Sequence, residues 1–124
     1  MAKKKTGLTT PVIRTGKGKL RIPIFGGVAI SQQIDKKTSE TIRNKHKTIH
    51  DDGSVTFDND LIGYDMFRES LINIEGYIDE EGTELKLDDE FKENIINYNP
   101  EFFSEYITAT RLGFLKREDV ITKN

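Results

Sequence analysis

At 124 residues, 35% hydrophobic and 32% charged, the chain has the length and polarity of one domain with a modest core. It holds no cysteine, which excludes disulfide staples and thiolate metal sites, and no run near the ~20 apolar residues of a membrane-spanning helix. The formal charge of −2 sums a basic half, +10 over residues 1–50 (12 Lys or Arg against Asp35 and Glu40), and an acidic remainder of −12 (7 against 19 acids).

Residues 1–10, MAKKKTGLTT, carry three consecutive lysines and little to bury, and read as a flexible basic tail. No apolar stretch of signal-peptide length follows them, so a soluble, cytoplasmic protein is expected. The remaining residues, 11–124, are expected to form a single domain. It comprises a basic hairpin-and-loop region over 11–57, a helical core over 58–113 and a frayed C-terminus over 114–124. The fold class is α+β, mainly α: a small C-terminal three-helix bundle with an N-terminal β-hairpin.

In PVIRTGKGKLRIPIF, Val12 and Ile13 precede Gly16-Lys17-Gly18, after which Leu20, Ile22 and Ile24 alternate with Arg21 and Pro23. Alternation around a glycine-rich turn predicts a hairpin with its tip at TGKGK. Pro23 has no N–H for a ladder, which sends its strand to a sheet edge. Gly26-Gly27 then breaks the chain, and VAISQQI suits either a strand or the start of a helix. Residues 35–50 are polar and basic, with only Ile42 and Ile49 apolar, one heptad apart. That thin stripe predicts a solvated helix capped by Thr38 or Ser39, or a partly ordered loop. Asp51-Asp52-Gly53 reads as a turn and SVTF as a short strand.

Helical spacing dominates the second half. Asp58 or Asp60 caps a helix through LIGYDMFRESLINIEG, with Leu61, Tyr64, Phe67, Leu71 and Ile74 on one face, widened by Ile62 and Ile72. Gly76 takes the left-handed position past its end. Asp88 or Asp89 starts a second helix bearing Phe91, Ile95 and Tyr98 on one side. At Asn99-Pro100, Asn caps and Pro fits a first turn that has no donor to lose. Phe102, Phe103, Tyr106, Ile107 and Leu112 carry a third helix to Gly113.

Between the first two helices lies an acidic knot, Asp79-Glu80-Glu81-Gly82. With Gly82 placed on the glycine of an EF-hand loop, Tyr77 falls on the first ligand position, so the leading carboxylate is missing. Carboxylates at a wet turn also lack the sheltered pocket that acid–base chemistry requires. A two-strand turn is expected instead, with Tyr77-Ile78 pairing back on Leu85 and Leu87 and Gly82 at positive φ.

TGKGK lacks the phosphate-loop frame and has Leu20 where a hydroxyl is needed. His46 and His50 share a helix face if residues 35–50 are helical. Lys47, however, replaces the catalytic glutamate of H-E-x-x-H, and nearby lysines repel a cation, so two exposed histidines are expected. Asp58-Asn59-Asp60 stands where a cap belongs. Ser31, Ser39, Ser54, Ser70 and Ser104 sit in no nucleophile elbow. Accordingly no catalytic residue, metal or cofactor is expected, and no enzymatic activity.

Charge is the stronger signal. Lys17, Lys19 and Arg21, then Lys36, Lys37, Arg43, Lys45 and Lys47, with Lys3, Lys4, Lys5 and Arg14 before them, suit contact with phosphates or with an acidic protein. Phe25 is the only aromatic among the first 50 residues, which disfavours base stacking on this half.

Ile74-Glu75-Gly76, the Asp79-Glu80-Glu81-Gly82 turn, Leu85-Lys86-Leu87 and Asn99-Pro100-Glu101 follow one another in a characteristic order. In that order residues 61–112 resemble small tailed-bacteriophage proteins of the tail assembly chaperone type. An aromatic of the pattern near Ile74-Glu75 is missing, and residues 1–60 carry no part of it. The resemblance implies a non-enzymatic protein that binds a phage structural or tape-measure protein during virion assembly, in the host cytoplasm or in the virion. Its apolar groove would use Tyr64, Phe67, Phe102, Phe103 and Tyr106 as anchors, although a domain this small needs most of its aromatics inside. Two alternatives stand beside it. One is a virion component assembling head-to-tail, basic arm to acidic body, as a homo-oligomer; the other is a nucleic-acid-binding accessory factor.

Overall fold

The alternation of Ile22 and Ile24 with Arg21 and Pro23 does build a strand, but its hairpin turns elsewhere than the glycine pattern suggests. The computed structural model describes residues 15–115, with side chains as far as Thr110; residues 1–10, Val12, Ile13 and residues 116–124 of the expected frayed end lie outside the described residues. β1 (Lys19–Ile24) pairs antiparallel with β2 (Gly27–Gln32), joining Ile24 to Gly27 across a two-residue turn. That turn is Phe25-Gly26, with φ of 51° and 89°. Positive φ at both central residues gives the type I′ geometry that matches strand twist. Gly16-Lys17-Gly18 therefore precedes the hairpin instead of forming its tip, and Gln32 Nε2 donates to the Gly16 carbonyl at 2.6 Å. VAISQ is a strand, and β1, with Pro23, lies at a sheet edge.

The chain continues through α1 (Lys36–Lys45), β3 (Lys47–Ile49), β4 (Val55–Phe57), α2 (Asn59–Ser70), β5 (Leu71–Glu75), α3 (Asp89–Tyr98) and α4 (Pro100–Leu115). The described residues thus make a small α+β fold with a three-stranded antiparallel sheet in the order β1-β2-β5 and a separate β3-β4 ribbon.

The largest departure from the sequence reading is β5. The helix expected to reach Gly76 stops at Ser70, and LINIE pairs with β2. Leu71 and Ile74 fit helical spacing, yet both are buried from a strand. The register explains how: Leu71 pairs with Ser31 and Asn73 with Ile30, so Ile72 is an extra residue on β5. A bulge of this kind shifts the alternation by one and turns two residues three apart to the same side. Gly76 does adopt positive φ, 86°, but it follows a strand.

Caps account for the helix starts. Asp35, not Thr38 or Ser39, caps α1, accepting from Thr38 N at 2.8 Å. Asp58 accepts from Leu61 N at 3.2 Å and Asp88 from Phe91 N at 2.8 Å. At the Asn99-Pro100 junction the Asn99 carbonyl accepts from Phe103 N at 3.1 Å, while its side chain donates backwards to Asn94 O. Gly113 does not end α4, which runs on to Leu115; one interior glycine costs a helix about 1 kcal/mol, too little to stop it.

α2, α3 and α4 are not a free-standing bundle. They share one core with the sheet, α4 packing on β1 as well as on α2 and α3. Ile22, Ile24, Ala29, Leu71 and Ile74 from the strands meet Phe67, Phe91, Ile95, Phe102 and Tyr106 from the helices. The rings meet edge to face, Phe67 with Tyr106 at 5.1 Å and Phe91 with Phe102 at 6.2 Å, as ring quadrupoles prefer. Fully buried Tyr106 shares a 2.8 Å hydrogen bond with Ser70 Oγ. Burial pushes its phenol up, against the opposing pull of its hydrogen bonds to Ser31 and Ser70.

Candidate functional site

The acidic knot is a turn. Leu85 N donates to Tyr77 O at 2.8 Å and Ile78 bridges to Glu84, while Leu87 lies beyond the pairing. Asp79 Oδ1 accepts from Glu81 N at 2.9 Å and Thr83 N at 3.0 Å, and Gly82 takes φ 83°. One carboxylate thus organises the bend, leaving Glu80, Glu81 and Glu84 in solvent. Among the described residues no three His, Asp or Glu side chains are grouped to hold a metal ion. The preceding residue pair is tightly placed: Tyr77 Oη donates to Ile24 O at 2.7 Å, and a Cβ on Gly27 would lie 2.5 Å from the Tyr77 ring and 2.7 Å from Glu75 O.

The basic candidates separate into two groups. Lys17, Lys19 and Arg21 lie in or before β1, where Arg21 makes a 2.7 Å pair with Glu75 of β5. Lys36, Lys37, Arg43 and Lys45 lie on α1, and Lys47 opens β3. Lys36 reaches Glu40 at 3.8 Å, Lys45 reaches Asp65 at 3.4 Å, and the Arg43 guanidinium stacks 5.3 Å from the Phe57 ring centre. Lys37 and Lys47 make no ion pair among the described residues.

Sequence reasoning missed the hub of this region. Asp65, on α2, accepts from His46 Nε2 at 2.7 Å and Arg68 at 2.8 Å, and Arg68 extends to Glu93 of α3 at 2.6 Å. Lys92 Nζ adds a 2.6 Å bond to the Arg68 carbonyl. Burial works to raise the Asp65 carboxyl, but hydrogen bonds from His46, Lys45 and Arg68 outweigh it and hold the group below the usual carboxylate range. His46 is therefore no exposed histidine; it ends α1, half-buried, as that helix's cap. His50 lies beyond β3 and bonds Thr56 Oγ1 at 2.9 Å, so the two imidazoles share no helix face. The i,i+3 spacing of Asp65 and Arg68 was the available signal in the sequence.

The aromatic candidates are mostly interior. Phe67 and Tyr106 are wholly buried and Phe102 nearly so, which removes them from any surface. Tyr64 and Phe103 are half-buried and stack on each other at 5.2 Å. The exposed apolar residues are others: Phe25 at the hairpin tip (66% exposed), Ile49, Val55 and Phe57 on the ribbon, Leu61, Ile78 and Tyr98. The signal that the sequence offered for this turn was the break at Gly26-Gly27, just after the alternating run that ends at Ile24. A shallow polar hollow lined by Gln32, Gln33, Asp35, Thr38 and Glu69 lies at the start of α1 and holds none of the candidates.

Compared with protein-family models, curated proteins and solved structures, the chain matches none.

Proposed function

We propose that this chain is a non-enzymatic bacteriophage protein of tail assembly that binds a virion structural or tape-measure protein. Support comes from the residue pattern of the acidic turn and its flanks, and from how those residues are spent. Asp79 shapes a bend, Asp88 caps a helix, and Leu85 and Leu87 pack on the core. Carboxylates committed to backbone geometry suit a contact scaffold.

The single observation that carries the binding role is Phe25. It is a bulky side chain at φ 51°, two-thirds exposed, at a turn position where Asn or Gly is the comfortable choice. The left-handed conformation costs roughly 1–2 kcal/mol. Its edge contact with the Phe102 ring, 6.4 Å away, returns about 0.5–1.5 kcal/mol. Folding alone thus gains little from this residue, whereas a rigidly presented aromatic knob is a strong anchor for a partner.

The test is co-expression of the full chain with each tail structural protein of its phage. Wild type should retain one of them. Phe25→Asn should keep stability within about 1 kcal/mol of wild type, because strain relief and lost edge contact offset, while retention falls about tenfold or more. Retention of none, or undiminished retention by the variant, sinks the reading.

A further inference from the structure

The β3-β4 ribbon is a separate, incompletely satisfied structure. All six of its strand residues are exposed, among the described residues no third strand joins it, and a two-stranded hairpin alone is marginal in water. Its register, Lys47 to Phe57, Thr48 to Thr56 and Ile49 to Val55, sorts the side chains by face. Strand alternation puts Ile49, Val55, Phe57 and Lys47 on one side and the two threonines on the other. Arg43 lies over Phe57 on the apolar side. The result is an apolar face with Ile49 66% exposed, edged by cations. Residues 36–57, α1 and the ribbon together, hold five Lys or Arg against Glu40 and, at the far turn of the ribbon, Asp51 and Asp52.

The complementary surface is in the same chain. Residues 77–90 hold seven acids against Lys86. Asp79 and Asp88 serve the backbone; Glu80, Glu81, Glu84, Asp89 and Glu90 are exposed and make no ion pair among the described residues. Ile78, 64% exposed, stands within this segment as its apolar contribution. We infer that the ribbon of one copy docks on the 77–90 connection of a second copy, apolar face to Ile78 and cationic edge to the glutamates. Opposite potentials steer the encounter and set its orientation, and exclusion of water from the apolar centre holds it. Because the two patches differ, each bound copy leaves an unlike patch for the next, so the contact propagates as a chain or closes as a ring.

Sedimentation of the full chain across a concentration series tests this. Wild type should gain mass with concentration and lose it with added salt. Arg43→Glu with Lys47→Glu, and separately Glu81→Lys with Glu84→Lys, should each weaken association about tenfold or more. All four side chains are exposed, so circular dichroism should show an unchanged fold. Mixing the two double variants should restore assembly, since reversed ribbon then meets reversed turn; a mere loss of folding would not be rescued this way. A wild type that stays monomeric at every concentration overturns the inference. So does association indifferent to both double variants, or a monomer whose ribbon variant loses only retention of nucleic acid.

Discussion

The sheet with α2, α3 and α4 and the α1-ribbon segment over residues 35–57 are built on opposite terms. The first shares a core that, among the described residues, counts ten buried side chains drawn from every one of its elements. The second buries one side chain from α1, Ile42, and none from β3 or β4. What fastens it is polar: His46 and Lys45 on Asp65, with Arg68 carrying the link to Glu93. Apolar burial makes a cooperative body, whereas a charged hinge makes an appendage that opens at lower cost. The exposed ribbon is thus the region most dependent on conditions.

Each side of that contrast can be attacked. Phe67→Ala, in the centre of the body, should cost about 3–5 kcal/mol, read as a lower denaturant midpoint for the whole molecule. If only local exchange changed, the body would not be a single cooperative unit. Asp65→Asn should cost about 2 kcal/mol, since hydrogen bonds to charged groups are lost, and should quicken amide exchange in α1 while leaving β1 and β2 protected.

The same hub gives a pH dependence. Asp65 is held low despite burial, and Glu93 is held low by its bond to Arg68. A carboxylate with a folded pKa below its unfolded one stabilises fully above the usual carboxylate range and loses that contribution as pH falls through the lowered value. Acid titration should therefore release α1 before the body melts, and Asp65→Asn should flatten the acid limb. An unchanged limb would place the sensitivity elsewhere. Smallest of all, Val55→Ser should shift stability by no more than about 0.5 kcal/mol; a larger loss would mean that the ribbon is packed and not open.

Much of this was readable without coordinates. The cap pairs Asp58 or Asp60 and Asp88 or Asp89, of which the structure uses the first of each, the Asp79-Gly82 turn, the edge placement of Pro23 and the polar character of residues 35–50 follow from local chemistry. Within a few residues of chain each of these is decided by one side chain and one backbone group. The misreadings are non-local. LINIE mimics a helix because its bulge gives Leu71 and Ile74 a spacing of three. The glycines at 16 and 18 lost the hairpin turn to Phe25-Gly26 because pairing with VAISQ, not glycine content, selects the register. Phe67 and Tyr106 stand among the candidate anchors although a small domain needs most of its aromatics inside, and only their neighbours place both in the core.

By itself the sequence determined where α2 and α3 begin to within two residues, that the acidic knot bends the chain, and that charge is divided between two halves, since these depend on residues adjacent along the backbone; it misplaced the start of α1, which Asp35 caps. Only the tertiary structure decided that residues 71–75 join a sheet, that His46 and Arg68 converge on Asp65, and which apolar side chains remain in water. Strand pairing and burial are contests among distant segments, and hydrophobic spacing constrains the entrants without naming the winner.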